Sequence, residues 1–111
     1  MNTYRGVIIG CGPRAHDHAV AYRNCKQAEF VTVADIDEGR ARNFSEKYGV
    51  RYYLNAEEMV EQEKPDIVTI ATKEEPRCQL TIMAARYGVM AIVAEKPMAS
   101  NISEARRMVK V

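Results

Sequence analysis

The sequence predicts one α/β domain built on a doubly wound parallel sheet. Short apolar runs alternate with longer segments of helical periodicity, which is typical of parallel strands connected by helices. A turn with two glycines lies between the first apolar run and the first helical segment. The chain has 111 residues, of which 47% are hydrophobic. That length suffices for one core, so we expect a single domain over residues 1–111.

The first predicted helix lies between two predicted strands. Residues 4–9 form an apolar run that stops at Gly10. Residues from about 13 to 25 carry small and apolar side chains at helical spacing, which predicts a helix. Residues 30–34 are rich in β-branched side chains and stop at Asp35, so they are predicted to form the second strand.

The second predicted helix has a signal at each end. Asp37 suits the N-cap of a helix over residues 38–48, because its carboxylate accepts from backbone N–H groups of the first turn. Gly49 suits the left-handed residue that follows such a helix. Residues 51–54 are then predicted to form a short third strand.

The next two elements are a short helix and a central strand. Asn55 and Glu58 form a capping-box pattern, which predicts a helix through residue 62. Residues 67–72 read IVTIAT and are apolar on both alternating faces, as in a strand covered by helices on both sides.

The remaining elements complete a βα pattern. Pro76 in a first turn predicts a helix from 76 to 87, ended by Gly88, and the fifth strand is predicted at residues 90–94. A further capping box at Asn101 predicts a last helix that reaches residue 111. Right-handed crossovers give the strand order 3-2-1-4-5, which lacks the usual sixth strand.

Charge, hydropathy and cysteine content disfavour several classes of function. Sixteen Lys and Arg against fifteen Asp and Glu give a net charge of +1 without a basic run, so we expect no nucleic-acid partner. No apolar stretch approaches the ~20 residues of a membrane span, and no signal-peptide core develops, so we expect no membrane partner and a cytoplasmic location. Cys11, Cys25 and Cys78 lack CxxC spacing and are expected to be reduced, buried thiols. His16 and His18 lie two apart on a helix and face different ways, so no metal site is expected.

The turn at residues 10–15 matches the dinucleotide fingerprint in its GxGxxA form. Gly10 permits a tight turn, Gly12 lets a pyrophosphate approach the backbone, and Ala15 allows the helix to pack closely on the sheet. The first turn, with Pro13 and Arg14, offers a helix N-terminus to the phosphates, although Pro13 lacks a donor. Glycines also mark ordinary turns, so the motif depends on its context.

Asp35 supplies that context, because a carboxylate at the end of the second strand can accept hydrogen bonds from an adenosine ribose diol. It would also repel a 2′-phosphate, which favours NAD over NADP. A helix-capping role shared with Asp37 is the alternative. Arg40 lies within reach in sequence and has three interpretations: a phosphate ligand, a residue lying flat on the adenine, or a solvated helix residue.

Four features together resemble the N-terminal half of the glucose-fructose oxidoreductase, inositol dehydrogenase and MocA-like family. They are the GxGxxA turn with His18 in the following helix, the VxDxD second strand, the PDIVxIAT fourth strand, and the triplet Glu95-Lys96-Pro97 after the fifth strand. The resemblance covers essentially the whole chain. The EKP triplet combined with the glycine turn is its most specific part.

The resemblance implies hydride transfer between a nicotinamide and a sugar or cyclitol hydroxyl, with Lys96 as the catalytic residue that hydrogen-bonds the reacting oxygen. It implies that Glu95 and Pro97 lie beside the cofactor, although Pro97 could also simply end a strand. Thr72 corresponds to the loop on the nicotinamide side. That loop reads TKE here, where the family has a Thr-Pro-Asn-like sequence, and Arg77 stands where a His is common.

The resemblance also implies that a carboxylate and a histidine of a C-terminal domain complete catalysis and that this domain forms most of the sugar pocket. We therefore expect this chain to bind NAD weakly and not to turn over polyols. A non-catalytic nucleotide-sensing or regulatory module of the same fold is the alternative. The fifth strand is expected to self-associate along its unpaired edge or to be covered by the last helix.

Overall fold

The computed structural model describes residues 3–72 and 74–94, with side chains of the helix after residue 73 described from residue 79 onward. The described part is a five-stranded sheet of order β3-β2-β1-β4-β5, and each neighbouring pair is parallel. The predicted α/β class and strand order are thereby confirmed. The elements are β1 Tyr4–Ile9, α1 Pro13–Arg23, β2 Ala28–Ala34, α2 Glu38–Tyr48, β3 Arg51–Tyr53, α3 Ala56–Glu63, β4 Ile67–Ile70, α4 Glu74–Arg86 and β5 Ala91–Ala94.

The sheet is covered on both faces, and β1 in its middle contributes to both cores. Alternate residues of a strand point to opposite faces, so Val7 and Ile9 pack with α3 and α4 while Ile8 packs with α1 and α2. The buried members of the first core are Val7, Ile9, Ala34, Met59, Val60, Val68, Ile70 and Ala84. Those of the second are Ile8, Cys11, Ala15, Ala19, Tyr22, Phe30, Val33 and Phe44.

A β-bulge in β2 changes which side chains of that strand share a face. The pairing of β1 with β2 shifts between Gly6, opposite Phe30, and Val7, opposite Thr32, so β2 has one extra residue. Phe30 and Val33, three residues apart, therefore both reach the core beneath α1 and α2. Strict alternation would have placed them on opposite faces.

The two capping predictions for α2 and α3 are confirmed at atomic level. The side chain of Asp37 accepts a hydrogen bond from the Arg40 backbone N–H, and Gly49 has the left-handed φ of 68° that ends α2. The side chain of Asn55 accepts from the backbone N–H of Glu58 at 2.9 Å. Both signals are local in sequence, which explains why these helix starts were predictable.

Several predicted boundaries were wrong by one to two residues. Helix α1 ends at Arg23, β2 begins at Ala28, and α4 begins at Glu74, so Pro76 is the third residue of that helix. Proline is tolerated there because the first-turn N–H groups have no carbonyl partner four residues back. Strands β3, β4 and β5 are one to two residues shorter than predicted.

A buried carboxylate that the sequence did not reveal connects α3 to two strands. Glu63 is only 6% exposed and accepts from Arg5 at 2.9 Å, from Arg51 at 2.7 Å and from the Tyr53 hydroxyl at 2.8 Å. Burial raises the pKa of Glu63, but the Tyr53 hydrogen bond and the two guanidinium charges outweigh it and hold the pKa below its ordinary value. Arg5 and Arg51 belong to β1 and β3, so Glu63 holds α3 against the sheet.

Of the predicted buried cysteines, Cys11 is buried, but Cys25 is exposed because it follows the end of α1 on the surface. The Cys78 side chain and the predicted helix from residue 101 lie outside the described residues. Within the described part, β5 pairs only with β4, and self-association through its other edge stays a prediction. None of the described helices is long and apolar enough to cross a membrane.

Candidate cofactor site

The carboxyl ends of β1, β2 and β4 meet at one edge of the sheet, where backbone hydrogen bonds hold their loops together. The Gly10 N–H donates to the Ala34 carbonyl at 2.7 Å, and the Ala71 N–H donates to the Ile9 carbonyl at 2.8 Å. The strand order reverses at this edge, because β2 and β3 lie on one side of β1 whereas β4 and β5 lie on the other. Ligands of open α/β sheets bind at such a switch point.

Gly10 makes the turn from β1 to α1 possible for two reasons. Its φ of +99° is a conformation that L side chains rarely adopt. In addition, a Cβ built at Gly10 would lie 2.9 Å from the Ala71 carbonyl oxygen and 3.0 Å from Thr72 Cγ2. Gly10 is therefore required by the fold, and Thr72 lies directly beside the glycine turn.

Gly12 differs from Gly10 because no described residue would collide with a side chain at this position. Its φ of −78° suits any residue, and a Cβ there would meet no atom of the described residues within 4 Å. The open space lies at the N-cap of α1, where the first-turn N–H groups point outward. Ala15, one turn into the helix, is fully buried against the sheet, as the fingerprint predicts.

The Asp35 carboxylate is fixed by two backbone donors. One oxygen accepts from the Cys11 N–H inside the glycine turn at 2.8 Å, and the other accepts from the Asp37 N–H at 2.8 Å. Asp35 does not cap α2; Asp37 alone accepts from the first-turn N–H of Arg40. Each carboxylate oxygen keeps a further lone pair, so Asp35 can accept from a diol while it holds the turn.

Cys11, between the two glycines, is a structural residue. Burial raises the pKa of its thiol to about 12, with a smaller contribution from the Asp35 charge, so the thiol stays protonated near neutral pH. The positive charge of Arg40 acts in the opposite direction on the same thiol. Cys11 is therefore no nucleophile, and the field of Arg40 reaches the glycine turn.

The other predicted contacts lie in different environments. Pro13 and Arg14 are exposed in the first turn of α1, and Arg40 is exposed in the first turn of α2. Arg40 Nε lies 3.9 Å from an Asp37 carboxylate oxygen, so this exposed side chain is within ion-pair distance of Asp37. Three predicted residues lie outside the described part of the chain: Glu95, Lys96 and Pro97.

Ile36 is a candidate site residue that was not predicted from the sequence. It follows Asp35 directly and is 93% exposed, which makes it the most exposed large hydrophobic side chain in the described residues. An apolar side chain beside a fixed carboxylate suits a ligand with an apolar ring next to a diol. Its position between two aspartates in VADID was the available signal.

The geometry fits a nicotinamide dinucleotide. A fixed carboxylate for the ribose, open space above Gly12 for the pyrophosphate and a helix N-terminus lie on one sheet edge. The described residues contain no group of three or more His, Cys, Asp and Glu side chains that could hold a metal ion.

Comparisons with known proteins agree with this geometry. The chain is 37% identical over 110 residues to D-apiose dehydrogenase of Paraburkholderia graminis, covering 98% of this chain and 29% of that protein. It superposes with a TM-score of 0.92 and 32% identity on an oxidoreductase from Agrobacterium radiobacter solved with NAD+, L-tartaric acid and magnesium, covering 98% of this chain and 32% of that one. The WlbA dehydrogenase from Bordetella pertussis, solved with NADH and UDP-GlcNAcA, gives a TM-score of 0.93 at 27% identity, covering 99% of this chain and 33% of that one.

The chain thus spans about a third of the length of the relatives it matches. The model of the GFO_IDH_MocA family, described as an oxidoreductase family with an NAD-binding Rossmann fold, matches residues 4–111. The match therefore includes the glycine turn, Asp35 and the EKP triplet. This chain belongs to that oxidoreductase family and is its NAD-binding Rossmann region.

Proposed function

We propose that this chain binds NAD through Asp35 and the glycine turn and serves an oxidoreductase that acts on a sugar or cyclitol hydroxyl. The observation that carries the proposal is the double hydrogen bond of the Asp35 carboxylate, to Cys11 and Asp37, beside the unfilled space at Gly12. The carboxylate would accept from the adenosine ribose, and Ile36 would contact the adenine. The N-terminus of α1, with Pro13, Arg14 and the closely packed Ala15, would face the pyrophosphate.

The charges around the ribose position favour NAD over NADP. Asp35 and Asp37 bring two carboxylates to the loop after β2, next to one guanidinium from Arg40. These three side chains together carry a net negative charge, and a 2′-phosphate adds about two further negative charges at pH 7. We therefore propose NAD as the preferred cofactor.

Catalysis in the proposed enzyme depends on Lys96. Bound NAD supplies a ring that accepts hydride, and the Lys96 ammonium would hydrogen-bond the substrate oxygen and favour loss of its proton. Glu95 and Pro97 would flank this lysine, and Thr72 would line the nicotinamide side. The sugar and cyclitol dehydrogenases among the relatives support the substrate class.

Most of each relative's length lies outside the matched region, so we propose that the substrate pocket requires a second domain. The present chain is then expected to bind NAD weakly and not to oxidise polyols by itself. NADH formation from myo-inositol or glucose by the 111-residue chain alone would contradict this division of labour.

Calorimetric titration of the chain with NAD tests the cofactor site. Asp35→Asn keeps the shape of the side chain but removes an acceptor, and we expect at least about a tenfold loss of affinity, since a hydrogen bond to a charged group contributes about 1.5–3 kcal/mol. Glu29→Gln is the matched control, because it removes one exposed charge from the opposite end of β2. The absence of both binding heat and thermal protection at millimolar NAD would refute the proposal.

A further inference from the structure

Asp37 has two roles at the start of α2. One carboxylate oxygen accepts from the Arg40 backbone N–H at 3.1 Å, which caps the helix. The other lies 3.9 Å from Nε of the same arginine. Gly39 leaves room for this arrangement, since a Cβ there would lie 3.3 Å from the capping oxygen. The same carboxylate therefore caps the helix and lies within ion-pair distance of the Arg40 side chain.

The Arg40 guanidinium lies where it could serve a phosphorylated ribose. Arg40 Nε lies 3.9 Å from the Asp37 carboxylate, and the Asp37 backbone N–H donates to Asp35 at 2.8 Å, so the guanidinium lies close to the proposed ribose ligand. An arginine near this aspartate position is the group that accommodates a 2′-phosphate in NADP-binding sheets of this class. In this chain that arginine is paired with Asp37.

We propose, on the basis of the cofactor site proposed above, that Asp37 is a second specificity-determining residue that disfavours NADP. It does so by forming an ion pair with Arg40, which makes the guanidinium less available to a 2′-phosphate. The backbone bond between the Asp37 N–H and Asp35 fixes the two carboxylates relative to each other. Discrimination against a 2′-phosphate is thus shared between two aspartates, and the second one acts through an arginine.

The expected effect is modest, because the pair is exposed: the side chains of Arg40 and Asp37 are 62% and 54% accessible. Exposed ion pairs are weak and screened by salt. Removal of the Asp37 carboxylate would release Arg40 from the ion pair. This change should tighten NADP binding about threefold to tenfold at low ionic strength. Asp35 remains, so the preference for NAD is reduced rather than reversed.

The test compares NAD and NADP titrations of the 111-residue chain at low salt. Asp37→Asn removes the charge and keeps a capping oxygen. Glu38→Gln is the matched control, because Glu38 is the next residue and pairs with Arg42 rather than Arg40. The double variant Asp37→Asn with Arg40→Gln tests whether Asp37 affects NADP binding through Arg40. Asp37→Ser, which also caps, replaces Asp37→Asn if that variant unfolds.

We expect the NADP dissociation constant of Asp37→Asn to fall about threefold to tenfold, with NAD changed less than about twofold. The gain should vanish in the double variant and at high salt, and Glu38→Gln should lack it. Unchanged NADP affinity of Asp37→Asn, or an equal gain in affinity for both cofactors, would overturn the role of Asp37. The proposed function would still stand in that case if the unaltered chain binds NAD. Absence of any NAD binding by the unaltered chain would overturn both.

Discussion

The two glycines of the cofactor turn should respond to alanine in opposite ways. Gly12→Ala adds a methyl group to open space at an ordinary φ of −78°, whereas Gly10→Ala adds one at φ +99° and 2.9 Å from a backbone carbonyl. The first substitution should leave the fold intact and block the cofactor. The second should destabilise the fold itself. Comparison of the two variants therefore distinguishes a glycine that ligand binding requires from a glycine that the fold requires.

The magnitudes follow from these contacts. At Gly10 a side chain costs about 1–2 kcal/mol for the left-handed backbone and about 1–3 kcal/mol for overpacking against Ala71. We expect a loss of about 2–5 kcal/mol in the free energy of unfolding. Gly12→Ala makes a poorer N-cap, but it also lowers the conformational entropy of the unfolded chain. Because these two effects oppose each other, the free energy of unfolding should change by no more than about 0.5 kcal/mol.

Urea unfolding and NAD titration of both variants check this prediction. Gly12→Ala should unfold at the same urea concentration as the unaltered chain, with NAD affinity reduced at least about tenfold, since one lost close contact of about 1.4 kcal/mol has that effect. NAD binding by Gly12→Ala at normal affinity would show that the open space is not occupied by the cofactor. Normal stability of Gly10→Ala would show that the turn relaxes without cost.

Two further substitutions test the scaffold. Glu63→Gln should lower stability by about 1–2 kcal/mol at pH 7. The pKa of Glu63 is held below its ordinary 4.5, so its contribution is present above that value and is lost as the pH falls through the lowered pKa. The variant should therefore lose less stability on acidification, and an unchanged acid profile would contradict this. Gly6→Ala places a Cβ 2.3 Å from the Tyr22 ring and should lower the free energy of unfolding in urea by about 2–4 kcal/mol. Adding Tyr22→Leu should restore part of this stability. Full stability of Gly6→Ala would show that the two groups do not clash.

The parts of the fold that were predictable from sequence depend on neighbouring residues. Asp37 and Gly49 delimit α2 because a cap and a left-handed residue act within one turn. The apolar runs predicted five strands because a parallel sheet covered on both faces needs near-continuous apolar residues. The glycine turn and Asp35 were recognisable as candidate site residues because both lie at strand ends.

The features that were not predictable join residues distant in sequence. The Tyr22 ring lies over Gly6, and its hydroxyl shares a hydrogen bond of 2.7 Å with the hydroxyl of Thr69, 47 residues later. The extra residue in β2 is visible only through its pairing with β1. The exposure of Cys25 follows from where α1 ends, and that boundary is set by packing.

The sequence by itself determined the fold class, the strand order and the residue types of a dinucleotide site, because periodicity, caps and the right-handed crossover are local or general constraints. Only the tertiary structure decided what each of those residues does. It set Asp35 against the Cys11 N–H, 24 positions away, and left the space above Gly12 open while closing that beside Gly10. These outcomes depend on the relative positions of the carboxyl ends of β1, β2 and β4, and no local sequence pattern determines those positions.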